Sequence, residues 1–142
     1  SNLSHSRAHY LLAIESLRDG LGYARTTDVA EMLEVSRGAA SMALSQLKKR
    51  GWVTEDPNRF LLLTAEGKKM TRLVSRNYEV LRSFFESVLG LSSELATEEA
   101  CKMEHLITVE TSDLLGKFNK VLTGSPALLE KIKKQMDSVS DT

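Results

Sequence analysis

The sequence has one cysteine, no long apolar run and no net charge. Because Cys101 is alone, the chain cannot form an internal disulfide, and this residue is a buried apolar filler, a metal ligand or a nucleophile. No apolar run approaches the roughly 20 residues that cross a bilayer, and the N-terminus has no charged segment followed by an apolar one. These absences argue against a membrane protein and predict a cytoplasmic one.

The sequence also lacks internal repeats, low-complexity segments, glycine-rich phosphate loops and nucleophile motifs. A net charge of zero argues weakly against nucleic-acid binding. The average hides an asymmetry, however, since residues 1–75 carry 11 Lys and Arg against 8 Asp and Glu, whereas residues 76–142 carry 8 against 11. A modestly basic N-terminal half is compatible with contacts to phosphates.

Apolar spacing in the N-terminal half predicts a helix-turn-helix. A first helix spans 5–18, and a short second helix ends at Leu33 with Thr26 or Thr27 as its N-cap. Ser36 caps the next helix, which Gly51 ends. Two short strands, 52–55 and 60–63, flank the turn 56–59 and form a β-hairpin wing.

The remaining sequence predicts only helices. One begins near Thr64 and ends near Val88, the next spans about 95–109, another begins at Thr111 or Ser112, and the last begins at Ser125. The predicted protein is therefore mainly α, with a winged helix-turn-helix DNA-binding domain over 3–73 and an all-helical domain over 74–142.

In such a domain the second helix of the motif enters the major groove and the wing reaches phosphates. Small side chains dominate the start of this helix, so Arg37 is its one residue able to form a bidentate hydrogen bond with a guanine or a phosphate. Specificity should then depend on close approach, thymine methyl contacts and DNA shape. The predicted DNA contacts are Arg25, Thr27, Ser36, Arg37, Ala39, Ala40, Ser41, Met42 and, at the wing tip, Arg59.

A second motif, Cys101-Lys102-Met103-Glu104-His105, places a sulfur, a carboxylate and an imidazole at i, i+3 and i+4 of a predicted helix. These side chains share one helix face. Such mixed ligands suit a divalent transition metal. A fourth ligand must come from elsewhere in the chain, and His5 and His9 are the remaining histidines.

The order of motifs resembles the diphtheria toxin repressor family of iron- and manganese-dependent transcriptional regulators, over nearly the whole chain up to about Leu122. The segments that carry the resemblance are 10–14, 22–25, the helix-turn-helix with its wing, 64–67 and 99–105. It implies a homodimer with an N-terminal winged helix domain and a helical dimerisation domain, in the two-domain form that stops before the SH3-like domain of some members.

The resemblance also implies the ligands. Cys101, Glu104 and His105 match the ligands of iron-type members, and the ligand on the first helix falls on His9, where the family has Met or Asp. The positions of the family's ancillary site fall on Tyr78, Arg82 and Thr97, which predicts one metal ion per subunit.

Two imidazoles, a thiolate and a carboxylate disfavour Mn²⁺ and suit Fe²⁺, Zn²⁺, Co²⁺ or Ni²⁺. From the resemblance we predict Fe²⁺. The metal would act as corepressor by fixing the geometry of the dimer for a double-stranded DNA operator.

Two other functions are compatible with the sequence. A winged-helix regulator that senses redox state through Cys101 is the main alternative. A metal-dependent hydrolase is less favoured, because four ligands leave no open position and no general base or substrate-binding motif is evident. The protein is therefore predicted not to be an enzyme and to have no small-molecule substrate. The sequence leaves the role of the last helix, 125–140, open.

Overall fold

The computed structural model describes residues 5–141, except the side chain of His5. Residues 3 and 4 of the predicted first domain and residue 142 of the second lie outside this part. The chain forms two compact units, Ser1–Val74 and Ser75–Thr142. The described part is mainly helical, with one small sheet, in agreement with the predicted fold class. None of its helices is long and apolar enough to cross a membrane.

The first unit is a winged helix-turn-helix. Its elements are α1 (His5–Leu21), α2 (Thr26–Leu33), α3 (Arg37–Lys49), β1 (Val53–Glu55), β2 (Leu61–Leu63) and the first half of α4 (Ala65–Ser83). The strands pair antiparallel, with Thr54 opposite Leu62. Ile14, Val29 and Leu44 are fully buried in one core that also includes Leu61 of the wing, so burial of apolar surface joins the wing to the helices.

Local signals explain most helix ends. The Ser36 hydroxyl accepts a hydrogen bond from the Ala39 amide at 3.1 Å, as an N-cap does, and Gly51 adopts a positive φ of 77° just after α3. The prediction for α2 was wrong, because its N-cap is Arg25 and not Thr26 or Thr27. The Asp28 carboxylate accepts from the Arg25 backbone amide at 3.1 Å, and this bond fixes the start of the helix.

The second unit contains the end of α4, a π-helical turn over Phe84–Val88, and then α5 (Ser93–Met103), α6 (Val109–Thr123) and α7 (Pro126–Asp137). Its core is small and centres on Leu81, Phe85, Ala96 and Ala100. Ser125 and Pro126 begin α7 at the predicted positions. Two predictions were wrong: α5 ends at Met103 and not near Val109, and α6 begins at Val109 with Thr108 as its N-cap.

Candidate functional site

The N-terminal part of α3 presents an exposed row of small side chains beside one arginine. Arg37, Ala39, Ser41 and Met42 are exposed, and the hydroxyl of exposed Ser36 is used to cap the helix. A helix whose start carries small side chains lets backbone and methyl groups approach base edges closely.

Ala40 does not belong to this surface, and its prediction as a DNA contact was wrong. Its exposure is 0 %, and it lies on the same face of α3 as the buried Leu44 and Leu47. The spacing of these three residues is a core pattern. That spacing was visible in the sequence and should have excluded Ala40.

A groove of about 500 Å³ lies beside α3. The predicted contacts Arg25, Thr27, Arg37, Ser41 and Arg59 all line it. Thr26, Lys48 and Asn58 also line it, although the sequence interpretation did not select them as contacts. Lys48 is ion-paired with Glu55 of β1, so its charge is already neutralised by a carboxylate of the same groove.

Arg25 is held in place at the edge of this groove. Its guanidinium lies 5.1 Å from the centre of the Tyr23 ring, and its Nε donates to the Asp28 carboxylate at 3.1 Å. Tyr23 in turn packs on Phe60 beside the wing, with 5.2 Å between ring centres. Stacking and ion pairing together restrict the arginine rotamers before any DNA is bound.

Arg59 lies at the wing tip with a positive φ of 66°. The carboxylate of Asp56 accepts from the backbone amides of Asn58 and Phe60, both at 2.9 Å, and closes this tight turn. Glycine is the usual residue for such a backbone, so an arginine in this conformation points to a role for its side chain.

The second functional cluster lies at the C-terminal end of α5. Sγ of Cys101 and a carboxylate oxygen of Glu104 lie within 4.8 Å of each other. Glu104 is the C-cap and keeps helical dihedral angles, so the i, i+3 relation survives the early end of the helix. His105 lies in the turn after α5, and its imidazole is not part of this close group in the described structure.

The surroundings of Glu104 fit a cation. The residue is only 3 % exposed, and within the described part of the chain its Oε1 has no hydrogen-bond partner. Burial raises the pKa of this carboxyl to about 7. Free carbonyls at a helix C-terminus add partial negative charge. A buried carboxylate oxygen without a partner is costly, and a divalent ion held by Glu104 and Cys101 would reduce that cost.

The thiol of Cys101 and the imidazole of His9 are the other two predicted ligand groups. Burial, and then the charge of Glu104, raise the pKa of the half-buried Cys101 thiol. A bound metal would favour the thiolate instead. His9 is half-buried on α1, in the first unit. Its imidazole is a competent ligand for the metals that also accept sulfur.

The predicted ancillary positions carry no metal-ligating pattern. Arg82 donates to the carboxylates of Glu79 at 3.2 Å and Glu86 at 3.1 Å. Its guanidinium therefore already neutralises the carboxylates around it. Tyr78 packs against the core of the second unit, and Thr97 is exposed on α5.

Comparison with known proteins covers both units. The family model for the iron dependent repressor N-terminal DNA binding domain matches residues 2–61. The model for the iron dependent repressor metal binding and dimerisation domain matches residues 64–136.

Individual proteins agree with the family models. A transcriptional regulator MntR from Escherichia coli O6:H1 is 33 % identical over 111 residues, which cover 78 % of this chain and 71 % of that protein. A regulator MntR from Listeria welshimeri is 26 % identical over 137 residues and 96 % of each chain.

Solved structures share the fold. The manganese regulator SloR has a TM-score of 0.69 and 25 % identity over 79 % of this chain, which spans 52 % of that protein. A hypothetical protein from Sulfolobus solfataricus has a TM-score of 0.71 at 21 % identity, over 82 % of this chain and 88 % of that one. The chain therefore belongs to the iron-dependent repressor, or diphtheria toxin repressor, family of metal-dependent transcriptional regulators, which are not enzymes.

Proposed function

We propose that this chain is a cytoplasmic, homodimeric transcriptional repressor that uses Fe²⁺ as its corepressor. The first unit, with a boundary near 73, binds the operator, and the second binds the metal and forms the dimer. The single observation that supports the metal part is the buried Glu104 carboxylate beside Cys101, whose Oε1 has no hydrogen-bond partner within the described residues. A buried carboxylate of this kind is stabilised by a nearby cation.

We propose His9, Cys101, Glu104 and His105 as the ligands. When bound, the metal supplies positive charge that holds Glu104 and Cys101 ionised. Because His9 belongs to the DNA-binding unit, coordination by all four residues would link operator affinity to metal affinity, and each would strengthen the other. Arg82, paired with Glu79 and Glu86, supports a single ion per subunit.

The donor atoms argue for Fe²⁺ over Mn²⁺. SloR is named for manganese, but Mn²⁺ prefers oxygen-rich sites, whereas Cys101 offers sulfur. Two imidazoles, one thiolate and one carboxylate also suit Zn²⁺, Co²⁺ and Ni²⁺, so we expect purified protein to take up Zn²⁺ readily. The match of Cys101, Glu104 and His105 to the iron-type members of the family supports Fe²⁺ among these ions.

The dimer is proposed to use the exposed face of α6. Leu114, Phe118 and Val121 follow one another at i, i+4 and i+7, and each is at least half exposed. This is the spacing of a helical contact stripe. Since the family model for this segment is a dimerisation domain, a second copy of the chain is the proposed occupant.

The redox alternative has weaker support. Thiol sensors need a cysteine with a lowered pKa, because the thiolate is the reactive form. Burial raises the pKa of Cys101, so this thiol is poorly suited to sensing oxidants by itself.

The test is operator binding measured by fluorescence anisotropy without oxygen. The probe is a duplex selected by the protein from random sequences in the presence of Fe²⁺. Wild-type protein should bind about 10-fold or more tightly with Fe²⁺ than without it, as allosteric couplings of this class do. Cys101→Ala and His9→Ala should lose this gain, whereas Met103→Ala, an exposed neighbour on α5, should keep it.

Equal affinity with and without metal would contradict the corepressor role. A change in affinity upon reversible oxidation of metal-free protein, lost in Cys101→Ala, would instead support the thiol sensor. Metal analysis of the purified protein, expected at one ion per subunit, separates the two.

A further inference from the structure

The turn between α5 and α6 carries two of the proposed ligands but little regular structure. Glu104 and His105 lie in the residues 104–107, after the last helical residue, Met103. Within the turn, the Leu106 amide donates to the Met103 carbonyl at 2.9 Å. Carbonyl groups near a helix C-terminus have no intrahelical donor, so they need partners from elsewhere.

Asn77 of α4 supplies those partners. Its Nδ2 donates to the carbonyl of Glu104 at 2.9 Å and, at a longer 3.4 Å, to the carbonyl of Ile107. One amide therefore contacts the first and the last residue of the turn. Its orientation is fixed, because a flipped amide would place Oδ1 against two carbonyl oxygens.

The environment of Asn77 indicates a role beyond filling space. The residue is 1 % exposed, and its Oδ1 has no hydrogen-bond partner within the described residues. An apolar side chain of the same size would avoid burying that unpaired oxygen. The amide is useful here for its donor, which holds the carbonyls at both ends of the turn that carries Glu104.

We propose that Asn77 is a positioning residue for the metal centre: it holds the turn 104–107 so that the ligand side chains are placed before the ion arrives. The inference rests on the proposed metal site. Groups that orient metal ligands typically change metal affinity 10- to 100-fold when they are removed. Asn77 would act in this way through the main chain of a ligand rather than through its side chain.

The chain offers a matched control in Asn119 of α6. It is also buried, at 9 % exposure, its Nδ2 donates to the Ser83 hydroxyl at 2.9 Å, and its Oδ1 likewise has no partner within the described residues. Asn77→Leu and Asn119→Leu each remove one buried amide of the second unit. Only the first removes a contact to the metal-binding turn.

The experiment is titration with Co²⁺ alone, followed by its visible absorption bands, for wild type, Asn77→Leu, Asn77→Asp, Asn119→Leu and Cys101→Ala. We expect both Asn77 variants to bind Co²⁺ about 10- to 100-fold more weakly and with altered band shapes, because ligand placement sets the coordination geometry. Asn119→Leu should bind within about twofold of wild type, as expected for a site that contacts no ligand. All variants are first compared by circular dichroism and thermal unfolding.

A second readout needs no metal. In metal-free protein, amide hydrogen exchange at Leu106 should be faster in Asn77→Leu than in wild type and unchanged in Asn119→Leu. Equal exchange in all three, or equal Co²⁺ affinity in the two leucine variants, would overturn the role of Asn77. If wild type failed to bind Co²⁺, or Cys101→Ala bound it as well as wild type, the proposed metal site would fail, and the role of Asn77 with it.

Discussion

The two units use their buried residues differently. The core of the first unit is almost entirely apolar, and its buried Thr71 hydroxyl donates to the Lys68 carbonyl at 2.8 Å. The second unit has a small apolar core, yet it buries polar side-chain atoms that have no partner within the described residues. They include side-chain atoms of Asn77, Glu104, Ser112 and Asn119.

The surfaces differ as well. Most of the large apolar side chains that are exposed lie in the second unit, including Leu106, Leu114 and Val121. Unpaired buried polar groups and large exposed apolar groups are both unfavourable, so the second unit is expected to be less stable than the first when it is isolated. Within the described residues, the second unit therefore leaves buried polar atoms and exposed apolar side chains that the proposed metal and the proposed second copy would cover.

The largest expected effect tests the packing of the first unit. A Cβ on Gly67 would overlap the carbonyl oxygen of Trp52, whereas one on Gly116 of α6 would meet only Val80 Cγ2, at 3.6 Å. We expect Gly67→Ala to cost about 3 kcal/mol and to lower the melting temperature by about 10 °C or more. Gly116→Ala should be neutral or stabilising by about 0.5 kcal/mol. Thermal unfolding compares the two, and equal losses would refute the difference between the units.

The next effect concerns the exposed face of α6. Phe118, 50 % exposed, should lie within the proposed dimer interface, so Phe118→Glu would bury a charge there. We expect dimerisation to weaken by about 100-fold, because unpaired charges in apolar interfaces cost several kcal/mol. Sedimentation equilibrium measures it. Met32→Glu, at an exposed apolar position of the first unit, is the control and should remain dimeric; an unchanged Phe118→Glu dimer would place the interface elsewhere.

A pH experiment tests whether the buried Glu104 carboxyl destabilises the second unit when no metal is bound. The folded-state pKa of Glu104 is about 7, above its ordinary value near 4.5. Below about pH 4.5 the carboxyl is protonated in both the folded and the unfolded state, so burying it does not lower the free energy of unfolding. Between about pH 4.5 and pH 7 it ionises in the unfolded state but not in the folded state, so the free energy of unfolding falls as the pH rises. In excess chelator, Glu104→Gln should be more stable than wild type by up to about 3 kcal/mol at pH 8 and equal to it at pH 4. Urea unfolding at both pH values measures the difference in free energy of unfolding between Glu104→Gln and wild type. If this difference did not vary with pH, the Glu104 carboxyl would be solvated and the expectation would fail.

The smallest effect concerns the wing. Because Arg59 has a positive φ, glycine suits its backbone better. We expect Arg59→Gly to keep or slightly raise the melting temperature and to weaken operator binding about 10-fold, with a loss of about one unit from the salt slope. Arg59→Lys should retain most binding. If Arg59→Gly bound like wild type at all salt concentrations, the wing tip would not contact DNA.

The sequence predicted the first unit well, because its signals are local. Ser36 and Gly51 mark the ends of α3, and the turn 56–59 joins two short apolar strands. The errors arose where a side chain had two interpretations. Ala40 was assigned to the DNA surface although it belongs to the core, and Arg25 caps α2 through Asp28, a role that arginine rarely has.

The second unit was harder to predict, for a physical reason. The apolar pattern continues past Met103, and for this reason the sequence predicts a longer α5. In the structure the helix ends there, and the Glu104 carbonyl accepts from Asn77, which is 27 residues away in sequence. No local pattern contains that contact. Similarly, the π-helical turn Phe84–Val88 keeps helical spacing, so periodicity alone cannot distinguish it from α-helix. The close approach of Cys101 and Glu104 could be predicted because their spacing is local. The roles of His9, Cys101, Glu104 and His105 as metal ligands stay predictions.

The groove beside α3 has a consequence for how the protein searches a genome. Of its cationic side chains, Lys48 is paired with Glu55 and Arg25 with Asp28. Proteins bind arbitrary DNA mainly because their unpaired cationic side chains release counterions from the phosphates. A groove in which two of the four cationic side chains already face carboxylates should therefore hold random sequence more briefly than a groove with four unpaired cations. Short residence on bulk DNA keeps more of a scarce repressor free in solution. Occupancy of its operators can then follow the supply of corepressor instead of being buffered by the chromosome.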